Sequence, residues 1–137
     1  IALGTIYLTP IDTNSNGIRD TWENAAFPGG CDPDADSDGD GLSNRAEYLC
    51  GTGPINSASV MRILDVQRVS GGLALTWSAV AGRSYQVVSS GTPGGTGSVT
   101  TNGPWEAAYG ETTKNWTDPN AASHASRFYR IHLAEPQ

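Results

Sequence analysis

Asp36 to Glu47 reads D-S-D-G-D-G-L-S-N-R-A-E, and Asp12 to Glu23 reads D-T-N-S-N-G-I-R-D-T-W-E. Both fit the twelve-residue calcium-loop spacing D-x-[DN]-x-[DN]-G-x5-E. A hard cation such as Ca2+ takes six to eight oxygens. Such loops supply them from side chains at positions 1, 3, 5, 9 and 12 and from the backbone carbonyl of position 7, with glycine at position 6 for the sharp turn. The second loop is therefore expected to offer Asp36, Asp38, Asp40, the carbonyl of Leu42, Asn44 and Glu47, turning at Gly41. The first is expected to offer Asp12, Asn14, Asn16, the carbonyl of Ile18, Asp20 and Glu23, turning at Gly17.

The competing reading of an acidic, glycine-rich run is a solvated loop. Against it, Asp32, Asp34, Asp36, Asp38 and Asp40 place five like charges on alternate residues. They repel one another unless a cation sits among them. Two Ca2+ ions are expected. Asp32 and Asp34 lie outside the second loop and offer ligands for a third, shared with the first loop or held between the two.

The run C-D-P-D-A-D-S-D-G-D-G-L-S-N-R-A-E-Y, from Cys31 to Tyr48, resembles a thrombospondin type 3 repeat of the kind found in secreted bacterial proteins. The apolar residue at position 7 of each loop, Ile18 and Leu42, supports this over a dockerin or a sensor EF-hand, which place it at position 8. Such bacterial modules often close with E-Y-x-x-G-T-D-P. Here Glu47 to Pro54 keeps that ending except for Gly53, where a ligand role for aspartate is lost. The resemblance spans about residues 12–54 and implies calcium-dependent structure outside the cell.

Charge supports the same division. The chain of 137 residues carries a net -6, and residues 12–47 hold nine acids against two bases, a net -7 that leaves +1 for the remainder. That balance argues against nucleic acid or an anionic membrane as partner. No stretch is long and apolar enough to span a membrane. Cys31 and Cys50 bracket the second loop, and with an extracellular type of metal loop they read as a disulfide, worth about 3 kcal/mol in the chain-entropy model. Two buried free thiols are the alternative. The chain opens at Ile1 without Met or a signal-like segment, which reads as a mature or excised form.

Residues 1–11 read as an N-terminal β-strand stopped at Pro10. A lone strand must pair to satisfy its backbone. It completes the chain's own sheet, belongs to an upstream domain, or adds to a neighbouring copy. Short helices are expected at Thr21 to Phe27, ended by Pro28-Gly29-Gly30, and at Ser43 to Leu49, ended by Gly51. Trp22 and Phe27 read as a local core, with Tyr48 and Leu49 packed inward beside Cys50. A unit of this size cannot be held by burial alone, so ions and a bridge must contribute.

From residue 60 to 137 the pattern changes to short strands separated by Gly, Pro and Asn. Strands are expected at Met61 to Val69, Leu73 to Ala79, Ser84 to Ser89, near Trp105 to Tyr109, Lys114 to Thr117 and Arg127 to Leu133. The chain is thus expected to be mainly β, its calcium segment followed by an antiparallel β-sandwich with Trp77 and Tyr85 in the core. The stretches L-A-L-T-W-S-A-V-A-G-R-S-Y-Q-V and R-F-Y-R-I-H-L resemble the fibronectin-III-like sandwich that follows such calcium repeats in bacterial surface proteins. Gly91 to Pro104 reads as a mobile loop. The Asn115-Trp116-Thr117 sequon offers a glycosylation site, weighed against an unmodified strand asparagine.

His124 reads as part of a polar turn and His132 as a strand residue, no Ser, Cys or carboxylate stands in a recognisable nucleophile motif, and no phosphate loop is present. Outside the loops the acids Asp65, Glu106, Glu111, Asp118 and Glu135 form no paired-acid pattern. Catalysis is therefore not expected. Three roles remain: a structural or adhesive subunit of a cell surface or fibre, joined to other copies through its N-terminal strand; a glycan-binding module using exposed Trp105, Tyr109 and Trp116; or a C-terminal sorting module of a larger secreted enzyme.

Overall fold

The computed structural model describes residues 11–95 and 97–134. Apart from Ile11, the expected N-terminal strand lies outside these residues. The chain divides between Ser59 and Val60 into two compact units.

The first unit is two loops, each leading into a short helix. Helix α1 spans Asp20–Ala26, with Asp20 and Glu23 in its first turn, where the exposed N–H groups favour negative charge. It ends at Phe27, whose N–H still reaches Glu23 O at 2.6 Å, and Pro28 cannot continue it. Helix α2 spans Asn44–Cys50, capped by Ser43, whose hydroxyl accepts from Ala46 N at 3.3 Å. Gly51 stops it in the left-handed conformation at φ 76°. Apolar burial is slight. Ile18 and Cys50 are buried, and Trp22 meets Tyr48 edge-on at 5.5 Å and Phe27 at 6.3 Å. Leu49, expected to face inward, is 54% exposed, because it lies on the opposite side of α2 from the buried Glu47 and Cys50.

The expected Cys31–Cys50 disulfide does not form. The Cys31 side chain is turned to the first loop, where its Sγ donates to Glu23 Oε1 at 3.5 Å, and Cys50 is buried at the end of α2.

The second unit is six antiparallel strands in two sheets. The strands are β1 Ile63–Val69, β2 Gly72–Ser78, β3 Ser84–Ser90, β4 Val99–Glu106, β5 Thr113–Asp118 and β6 Phe128–Leu133. One sheet runs β1-β2-β5 and the other β4-β3-β6. Alternation decides which side chains meet. Leu75 and Trp77 from β2 and Tyr85 and Val87 from β3, each at most 1% exposed, form one cluster with Ala79 and Ala107. Fully burying a side chain of this kind contributes roughly 1.5–3 kcal/mol, so the central strand of each sheet carries most of the stability. The Tyr85 hydroxyl, buried with its ring, accepts from Val80 N at 2.8 Å.

Two expectations are corrected. Strand β4 begins at Val99, inside the segment read as a mobile loop, and ends at Glu106, so no strand runs from Trp105 to Tyr109. The β-branched Val99, Thr100 and Thr101 pair with Ser90, Ser89 and Val88, and an edge strand can stay polar on both faces. Gly72, at φ +147°, is fixed by a close approach: a Cβ there would lie 2.0 Å from the Asp118 carbonyl oxygen.

Candidate metal centre

The two loops are built alike, with hydrogen bonds recurring at an offset of 24 residues. Gly17 N donates to Asp12 Oδ2 at 2.8 Å, and Gly41 N to Asp36 Oδ2 at 2.9 Å. Ile18 N donates to Asn16 Oδ1 and Leu42 N to Asp40 Oδ1, both at 2.8 Å. Asp20 N reaches Ile11 O at 2.9 Å and Asn44 N reaches Ala35 O at 2.8 Å, closing each loop at the start of its helix. Gly17 and Gly41 make the sharp turn at φ 85° and 96°.

In the second loop Asp38 and Asp40 each accept a backbone N–H on Oδ1 alone, while Asp36 accepts on both oxygens, from Gly39 N at 2.7 Å and from Gly41 N at 2.9 Å. Carboxylate oxygens of Asp36, Asp38 and Asp40 lie within 4.8 Å of one another. Asp38 Oδ2, Asp40 Oδ2 and Glu47 Oε2 are buried without any hydrogen-bond partner. Glu47 is 0% exposed, and its other oxygen accepts only a long 3.5 Å bond from Thr52 Oγ1. Burial, then the charges of Asp38, Asp40 and Asp36, push the Glu47 carboxyl up to about 7. A buried carboxylate left unpaired beside like charges is costly, and a divalent cation removes that cost. All donors are oxygens, which suits Ca2+ and not a soft or nitrogen-seeking metal. The residues present fit the ion.

Asn44, 1% exposed, donates from Nδ2 to Asp32 O at 2.8 Å and leaves Oδ1 without a partner. It ties the Asp32 segment to the second loop. Asp32 Oδ1 accepts from Asp34 N at 3.0 Å, and neither residue belongs to the close carboxylate group.

The first loop satisfies itself differently. Glu23, 3% exposed, accepts from Asn16 Nδ2 at 2.6 Å, from Cys31 N at 3.1 Å and from Asn14 Nδ2 at 3.4 and 3.5 Å. The Asn16 amide holds its carboxyl below the ordinary range against the opposing push of burial, with Cys31 and Asn14 adding to the lowering. Burial, followed by the hydrogen bond to Glu23, raises the Cys31 thiol to about 11, so it remains protonated at neutral pH. Asp20 turns to Thr13, whose N–H donates at 2.8 Å and whose hydroxyl also donates to it. These bonds lower the Asp20 carboxyl, the Thr13 hydroxyl contributing most.

Arg45, which the sequence reading did not single out, joins the loops. Its Nη2 donates to Asn16 O at 2.7 Å, 29 residues away. No local pattern announces a contact at that separation.

In the second unit, Trp105 and Trp116, expected as part of a sugar platform, pack on the core with ring centroids 6.1 Å apart, and Tyr109 stands fully in solvent. Asn115 is exposed on the edge strand β5, opposite Thr76. Among the described residues no helix is long and apolar enough to cross a membrane. Comparison with family models, curated proteins and solved structures finds no match.

Proposed function

We propose that this chain is a calcium-stabilised, non-catalytic structural or adhesive module of a secreted or cell-surface protein. The observation that carries the reading is the close group of Asp36, Asp38 and Asp40 carboxylates, whose charges act on a wholly buried Glu47 with one oxygen unpartnered. Such an arrangement is unstable alone and becomes a joint when a hard divalent cation enters.

On this reading residues 12–54 form a thrombospondin type 3-like segment, and the two sheets are the faces of a fibronectin-III-like sandwich. Support for the first is the bond-for-bond repetition of the loops; support for the second is the single cluster shared by β2 and β3. When bound, the ion supplies neutralising charge and cross-links the loop. Asp36, Asp38, Asp40 and Glu47 would hold it, and Ser43 and Gly51 fix the helix that presents Glu47.

Thermal unfolding of the first unit tests this. With Ca2+ its midpoint is expected to rise well above that in excess chelator, with the second unit little affected. Identical midpoints in the two conditions would falsify the reading. Glycan binding is the weaker alternative, since Tyr109 is the one member of the expected aromatic platform that is fully exposed.

A further inference from the structure

The two sheets of the second unit are closed along one flank and open along the other. On the closed flank, Trp105 of β4 meets Trp116 of β5. On the open flank the start of β1 faces β6 across a cavity of ≈ 300 Å³ lined by Met61, Arg62, Ile63, Arg130, Ile131 and His132.

Burial records the same asymmetry. Tyr129, Ile131 and Leu133 pair with Ser89, Val87 and Tyr85 and so share their inward face. The β3 residues are at most 2% exposed, but their β6 partners are only half-buried. Ile63 and Val66 of β1 pair with the buried Trp77 and Leu75, yet are 39% and 52% exposed. Inward-facing apolar side chains are left uncovered on both sheets, on the same side.

Strand edges differ in how they are guarded. β4 carries Pro104 and a register shift, β5 carries Lys114, and β1 has a register shift between Ile63 and Asp65. β6 has no Pro, no Gly and six unbroken pairs with β3, and among the described residues no strand lies on its far side. It is a regular edge that carries Arg130 and His132, beside a slot that Met61, Ile63 and Ile131 line together with Arg62, Arg130 and His132.

The geometry points to this slot as the acceptor for residues 1–8 of a second copy of the chain, added as a strand along β6. The segment I-A-L-G-T-I-Y-L carries no charge, and Pro10 ends it soon after. Extended at ~3.3 Å per residue, it is longer than the six-residue β6 and covers that edge from end to end. Backbone hydrogen bonds supply affinity in such strand addition, and alternate side chains fill the slot. This inference rests on the structural-module reading and names its partner.

The full chain is followed by sedimentation and hydrogen exchange in Ca2+, beside the Leu3→Asp/Ile6→Asp variant and with excess peptide of residues 1–8. Circular dichroism and the thermal midpoints of the variant, matched against those of the parent chain, separate loss of assembly from loss of fold. Oligomers growing with concentration are expected, with amides of Phe128–Leu133 exchanging at least about tenfold more slowly than in the monomeric variant. Excess peptide should cap the chains and return them to monomers. A monomer at all concentrations, oligomers indifferent to both variant and peptide, protection on another strand, or protection of β6 within a monomer each overturns the proposal. A chain that binds Ca2+ yet stays monomeric removes the slot and keeps the calcium reading; one that assembles through β6 without binding Ca2+ does the reverse.

Discussion

Asn16 Nδ2 donates to Glu23 Oε1 at 2.6 Å, closing the first loop on its own terminal carboxylate. The equivalent Glu47 has no such donor on Oε2, because Asp40 stands where the first loop has Asn16. A neutral amide can serve a carboxylate as donor or an ion as oxygen ligand, whereas an aspartate can only accept. On the calcium reading the first loop would give up hydrogen bonds to bind an ion, and the second would give up repulsion.

The loops should accordingly load unequally. Calorimetric titration is expected to give two classes of Ca2+ site with affinities differing by at least about tenfold, or ~1.4 kcal/mol. Glu47→Gln removes the tighter class and Glu23→Gln the weaker. Equal affinities, or loss of the tight class in Glu23→Gln, would contradict the assignment.

Ser15 and Gly39 occupy the same place in the two loops, and both have positive φ, 56° and 80°. Serine tolerates this region poorly, at a cost of roughly 1 kcal/mol, and glycine does not. Ser15→Gly should stabilise the first unit by about that amount and Gly39→Ala should destabilise it similarly. A Cβ on Gly39 meets nothing within 4 Å, so the second effect is purely conformational. Chelator-melt midpoints of both variants measure it, and a fall in the Ser15→Gly midpoint counts against the loop equivalence.

The turns at Gly17 and Gly41, the close group of Asp36, Asp38 and Asp40, and both short helices were legible because the loop pattern is local. Trp77 and Tyr85 were legible for the same reason, through strand alternation. Features settled by choices between partners were not. Sequence alone could not tell that Cys31 would turn to Glu23, that Arg45 would reach Asn16, or that polar Thr100 and Thr101 would pair with β3 to make a strand. Asp118 was seen only as an uncommitted acid.

Asp118 is in fact the most connected carboxylate among the described residues of the second unit. It is 1% exposed and accepts from Asn120 N at 2.8 Å and Tyr129 Oη at 2.9 Å, with Arg127 Nε 2.7 Å from Oδ2 as an ion pair. Arg127 in turn donates from Nη2 to Ser89 at 2.9 Å, tying the end of β5 to β3. Asp118→Asn leaves a largely buried guanidinium uncompensated and should cost about 3 kcal/mol. Asp118→Asn combined with Arg127→Met should recover part of that loss. Urea midpoints of the three proteins check it, and strict additivity would argue that the pair is not coupled.

Tyr129 gives the same cluster a pH signature. Burial, then the hydrogen bond to Asp118 and its charge, push the phenol up to about 12, with Arg127 opposing. An unfolded tyrosine titrates near 10, so between about pH 10 and pH 12 the unfolded chain loses this proton first. The folded state then binds more protons than the unfolded state, and stability falls as pH rises. The contribution is therefore fully present below about pH 10 and lost as pH rises through about 12. Tyr129→Phe removes it, so the variant should be less stable by roughly 1.5–3 kcal/mol at neutral pH, the size of a hydrogen bond to a charged acceptor. It should also show a shallower decline above pH 10. Urea titrations read by tryptophan fluorescence at pH 8, 10 and 11.5 separate the two chains, and parallel declines would mean that Tyr129 does not titrate against Asp118.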